Sequence, residues 1–75
     1  MPKLPRPSGK KIVAFLESRG FDVVRIRGSH FVMQKEHLKT TVPVHRNNTL
    51  KIGTLKGILR DIEMSPEEFA SEWNI

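Results

Sequence analysis

The sequence predicts an α+β fold, a two-layer sandwich in the order α-β-β-β-α with a three-stranded antiparallel sheet and a short further helix at the C-terminus. Three observations carry this. Apolar residues recur at helical spacing in two stretches, at Ile12, Phe15, Leu16 and (by its alkyl stem) Arg19, and again at Leu55, Ile58, Leu59 and Ile62. Between them, short runs rich in β-formers alternate around turn signals, as half-buried strands do. Finally, 75 residues suffice for one domain, spanning 1–75, that buries only about 60% of its unfolded surface. Helices and sheet therefore share one thin core, and the second face of the sheet is left wet.

Each element follows in turn. Ser8 is the expected N-cap of a first helix reaching about Arg19. Gly20 follows it as the left-handed terminator, with Phe21 placed to touch Leu16 in a Schellman arrangement. Phe21 to Arg27 and His30 to Lys35 read as strands joined by Gly28-Ser29, a two-residue loop whose leading glycine suits a type II′ turn. That turn pairs Arg27 with His30, Ile26 with Phe31, Arg25 with Val32 and Val24 with Met33. One face then collects Val24, Ile26, Phe31 and Met33; the other collects Arg25, Arg27, His30 and Val32.

Glu36 to Lys39 form a polar turn, and Thr40 to Val44 a third strand with Thr40, Val42 and Val44 inward and Thr41, Pro43 and His45 outward. Pro43 has no N–H to give a ladder, which places this strand at or near an edge. Asn47-Asn48 mark a loop from Arg46 to Gly53, and Thr54 is the expected N-cap of a helix to about Met64. Ser65 and Glu68 form a capping box with Pro66 at the first helical position and Met64 and Phe69 as a hydrophobic staple. Phe69 and Trp73 of this last helix are expected to dock on the core.

Thirteen Lys and Arg against eight Asp and Glu leave a net charge of +5, unevenly spread. Residues 1–60 hold every base and three acids, for +10; residues 61–75 hold five acids and sum to −5. A body this basic attracts polyanions, in a cytosolic chain most often nucleic acid. Residues 1–7 form a basic, proline-rich arm. Lys10 and Lys11 stand in the first turn of a helix, where the macrodipole disfavours them, so their charge points to use elsewhere.

The absence of cysteine excludes disulfides, thiolate zinc sites, iron–sulfur clusters and a cysteine nucleophile, and makes the reducing cytoplasm the natural compartment. Length excludes large multidomain enzymes, dinucleotide-binding domains and solenoids. The longest apolar run, Ile12 to Leu16, falls far short of the roughly 20 residues that span a bilayer. No apolar stretch follows the basic N-terminus as a signal peptide requires, and no membrane association is expected.

Reactive groups are few. The spacings of His30, His37 and His45 match no common ligand pattern, so neither metal nor cofactor is expected. His37 falls in a turn and reads as solvated surface. His30 follows a tight turn on the wet face beside Arg25 and Arg27. An imidazole can take a proton from a ribose 2′-OH or give one to a leaving oxygen, while guanidiniums hold the phosphate and offset growing charge. These groups suffice for metal-free transesterification of RNA, with the substrate supplying the nucleophile. A lone histidine in a surface hairpin is more often structural, so the residues by themselves leave both readings open. His45 shares the sheet face by strand parity and is a possible second proton carrier.

Gly28-Ser29-His30-Phe31 after Gly20-Phe21, then Thr41-Val42-Pro43-Val44-His45, Gly53-Thr54-Leu55 with Ile58-Leu59-Arg60, and Ser65-Pro66-Glu67-Glu68-Phe69 together resemble the HicA-type toxins. These are small mRNA interferases of type II toxin–antitoxin systems, and the likeness runs from about Lys10 to Phe69. It implies a fold like that of double-stranded-RNA-binding domains, metal-independent endoribonuclease activity on mRNA that blocks translation, and a single catalytic histidine, at the position of His30. Lys10, Lys11, Arg25, Arg27 and Ser29 are the expected RNA-binding residues. The resemblance also implies a cognate HicB-type antitoxin covering the active surface. The proline-rich start and the acidic tail carrying Trp73 depart from the pattern; the first could add RNA contacts and the second complete the core. Two other functions fit the same fold: a non-catalytic RNA-binding module, and a protein-interaction module with an acidic partner.

Overall fold

The structure, a computed structural model, describes residues 4–46 and 48–73. Residues 1–3 of the expected arm, Asn47 of the expected turn signal and residues 74–75 lie outside the described residues. Helix α1 (Gly9–Ser18) leads into strands β1 (Asp22–Arg27), β2 (His30–Lys35) and β3 (Leu38–Pro43), followed by α2 (Ile52–Asp61) and α3 (Pro66–Glu72). The sheet is antiparallel, in the order β1-β2-β3. This is the α-β-β-β-α sandwich with a short final helix that the sequence predicts.

The ends of α1 form as their residues dictate. The Ser8 hydroxyl accepts the Lys11 N–H at 3.3 Å. At the other end Gly20 takes φ +95°, Gly20 N–H bonds Glu17 O, and Phe21 N–H bonds Leu16 O, which completes the Schellman motif. In α3 the Ser65 hydroxyl accepts the Glu68 N–H at 3.0 Å, with Met64 and Phe69 both buried. Helix α2 differs from expectation at both ends. Its N-cap is Lys51, which makes no side-chain cap, rather than Thr54. Leu50 N–H is tied to Pro7 O at 2.9 Å, and the chain turns into the helix directly from that anchor. The helix ends at Asp61, not Met64, because Glu63 adopts φ +59° and Met64 N–H closes back on Leu59 O.

In the β1–β2 hairpin Gly28 takes φ +59° while Ser29 stays outside the left-handed region, as a type II′ turn needs. Pairing follows expectation at Arg27–His30, Ile26–Phe31 and Arg25–Val32. Beyond Arg25 a β-bulge intervenes, and Met33 pairs with Val23 instead of Val24. Val24, expected in the core, is 53% exposed, and Ile26 is 56% exposed. Helix α1 packs across all three strands, whereas α2 touches only β3, so the outer end of β1 lies beyond the helical layer and Phe31 is half-buried. Strand β3 starts at Leu38, earlier than expected, because Glu36 at φ +55° lets Glu36-His37 make the whole turn. It ends at Pro43, with Thr40 and Val42 inward.

Ile12, Leu16, Met33, Val42, Leu55, Leu59 and Phe69 are sealed from solvent, each contributing roughly 1.5–3 kcal/mol of burial free energy. Phe15 and Phe69 meet edge to face at 5.2 Å, and half-buried Trp73 packs on both. The one buried polar side chain among the described residues, Thr40, donates to Asp61 Oδ2 at 2.9 Å. Residues 4–8 are docked: Leu4 packs against the core, Pro7 is buried, and Ser8 bridges to Thr49. Gly9 sits directly on the end of β3, where a Cβ would meet Pro43 O at 2.0 Å.

Candidate functional site

Among the described residues nothing covers the sheet face opposite the helices, and register decides what it carries. Cross-strand partners share a face, giving the rows Arg27–His30–Pro43, Arg25–Val32–Thr41 and Asp22–Gln34–Lys39. His30 is exposed at the start of β2 with exposed Arg27 directly opposite and exposed Arg25 one row along. Ser29 is half-buried in the turn.

His45 reaches the same end through a backbone tie. Val44 N–H donates to Ser29 O at 2.6 Å, extending the β2–β3 pairing one residue past Pro43 and pinning the chain against the hairpin turn. The next residue, His45, places Nε2 3.1 Å from Ser29 Oγ. A turn follows in which Arg46 takes φ +54° and Asn48 N–H returns to His45 O at 3.0 Å. The His30 and His45 rings stand 6.4 Å apart between centroids, nearly perpendicular, and both are exposed. Strand parity places them on one side; the short separation comes from the Ser29 tie.

His37 lies in the turn at the far end of β2 and takes no part. Lys10 and Lys11 are both exposed on α1, and Lys11 lines a cleft with Arg6, Ser8 and Thr49. A second cleft, of about 320 Å³, opens beside His45 between Pro43, Leu50 and Thr54, with Asn48 and Lys51 at its edge. These loop residues were not singled out as site residues from the sequence. Their one signal there is a polar loop joining a histidine-tipped strand to a helix. Among the described residues no three His, Cys, Asp or Glu side chains are grouped as a metal site needs, and no helix is long and apolar enough to cross a membrane.

Chemically, the arrangement offers two exposed imidazoles about one phosphate apart, two exposed guanidiniums and a half-buried hydroxyl beside one ring. A search of curated proteins gives no match. The family model described as the HicA toxin of bacterial toxin–antitoxin systems matches residues 9–64, which include α1, the whole sheet, His30 and His45, and α2. The chain belongs to the HicA toxin family, and so is the toxin component of a toxin–antitoxin system with an antitoxin as its partner.

Proposed function

We propose that the chain is a metal-independent endoribonuclease that cleaves mRNA and blocks translation, with His30 as a catalytic residue and a HicB-type antitoxin covering the same face. The observation that carries this reading is the exposed imidazole of His30 between Arg27 and His45 in a chain of a toxin family.

The substrate's own 2′-OH is the nucleophile. One imidazole removes its proton as the 2′-oxygen bonds to phosphorus; the other protonates the departing 5′-oxygen as the P–O5′ bond breaks. The products are a 2′,3′-cyclic phosphate and a 5′-hydroxyl. A ring separation of 6.4 Å lets the two imidazoles serve opposite sides of one phosphorus atom. Ser29 Oγ holds His45 in orientation, accepting from Nε2–H when that ring is protonated. Arg27 and Arg25 bind the phosphate and offset the charge that grows on its equatorial oxygens.

The test is RNA cleavage in EDTA by wild type and His30→Ala. Wild type is expected to cleave and the variant to lose the activity. A variant that cuts at the wild-type rate removes His30 from the mechanism, and a wild type that binds RNA without turnover makes the chain a binding module instead.

A further inference from the structure

The cleft beside His45 has no part in the proton transfers apart from His45 itself. Its walls are Pro43 and the buried side of Leu50, and Asn48, Thr49 and Thr54 supply a few polar groups around them. An apolar seat with a small number of convergent polar groups is the general form of a small-ligand site, and 320 Å³ lies at the lower end of the usual range, too small for a helix of nucleic acid. Its position is specific. Pro43 is the cross-strand neighbour of His30, and His45 itself forms part of the wall. A group seated there lies immediately beside the imidazole pair.

Thr49 also lines the second cleft, of about 280 Å³, with Arg6 and Lys11. The Ser8–Thr49 bridge joins the two walls, and Leu50 N–H on Pro7 O anchors the loop between them. One track therefore runs from Arg27 over His30 and His45 into the apolar cleft, and on past Thr49 to Arg6 and Lys11.

We propose that this track carries single-stranded RNA. The apolar cleft seats the unpaired base next to the scissile phosphate, and Arg6 with Lys11 holds a phosphate further along. A base within a duplex is stacked and has its edge paired, so it cannot enter such a seat; an unstacked base can, with its edge read by Asn48 and Thr54. This rests on RNA being the substrate of the His30 face, and binding reads it separately from cleavage.

Nucleoside 3′-monophosphates of all four bases, titrated into isotopically labelled protein, are expected to shift the amides of Asn48 to Thr54 with unequal affinities. Thr54→Val and Asn48→Ala are expected to level those affinities. Single-stranded 2′-O-methyl hexanucleotides, which lack the nucleophile, are expected to bind more tightly than a duplex of equal length. An Arg6→Ala, Lys11→Ala double variant should weaken the hexanucleotide, leave mononucleotides unaffected, and make the slope of log K against log salt shallower by about 0.7, one phosphate of a single strand. Nucleotide shifts that bypass the 48–54 segment, or stronger binding of the duplex, overturn the proposal. So does a hexanucleotide affinity indifferent to the double variant. A chain that seats nucleotides in the cleft yet leaves RNA intact supports this proposal while refuting the nuclease.

Discussion

Replacing Gly9 by alanine sets two effects against each other. Alanine is the better helix former by about 1 kcal/mol. Here its Cβ would stand 2.0 Å from Pro43 O, 3.0 Å from Pro43 C and 3.1 Å from Val44 Cα. Ordinary contact begins at 3.4 Å, so helix and strand must part by about 1.4 Å, and backbone on both sides leaves no flexible tip to swing away. Forced overpacking of this kind costs about 1–3 kcal/mol. With backbone on both sides the upper part of that range applies, about 2–3 kcal/mol, so steric cost outweighs propensity, and the net loss of about 1–2 kcal/mol lowers the melting temperature by about 4–16 °C in a domain of this size. Gly57→Ala is the control. It lies inside α2 with nothing within 4 Å of the added methyl, and should raise stability by up to about 1 kcal/mol. Thermal melts followed by circular dichroism give both signs. A Gly9→Ala protein melting at or above the wild-type temperature would refute the close approach of α1 to β3. Because Val44 also bonds Ser29, the same displacement pulls His45 from its hydroxyl; RNA cleavage at a temperature where the variant is fully folded should fall as well.

Four further outcomes follow from the geometry. His30→Ala should change stability by no more than about 0.5 kcal/mol, since the ring is exposed, so its loss of activity will not be a loss of fold; urea titration checks this. His45→Ala should remove most of the cleavage rate while the protein stays folded, which single-turnover cleavage assays check. Asp61→Ala leaves the buried Thr40 hydroxyl without its acceptor and should cost about 1–2 kcal/mol, whereas Thr40→Val removes the buried group itself, leaves Asp61 to water and should cost less; denaturant midpoints distinguish the two. Phe69→Ala empties the centre of the aromatic cluster at a cost of about 3–5 kcal/mol, enough to leave so small a domain largely unfolded by calorimetry.

Features set by neighbours in the chain are legible in the sequence. The Ser8 and Ser65 caps, the Gly20 terminator and the Gly28-Ser29 turn each depend on four or five consecutive residues, and the turn then places His30 opposite Arg27. The bulge at Val24 was not legible, since no glycine or proline marks it. Nor was the start of α2, set by the bond from Leu50 to Pro7 some forty residues earlier in the chain. Strand parity put His45 on the side of His30. Its proximity depends on Val44 meeting Ser29, a contact between segments that only the closed sheet brings together. Arg6 and Thr49 come to line one cleft for the same kind of reason. The approach of Gly9 to Pro43 is visible only where helix and strand cross.

The uncovered end of β1 has a consequence for handling the protein. Val24 and Ile26 leave two aliphatic groups on an edge strand whose outer backbone groups have no strand beside them among the described residues. Two copies meeting edge to edge would bury this surface, but Arg25 and Arg27 would then confront their own counterparts, and the kink at the bulge spoils a straight seam. Screening shortens the reach of that repulsion from about 10 Å at 0.1 M salt to about 3 Å at 1 M. Concentrated stocks in molar salt should therefore cloud sooner than those in dilute buffer, as like-charge protection is switched off while the greasy margin remains.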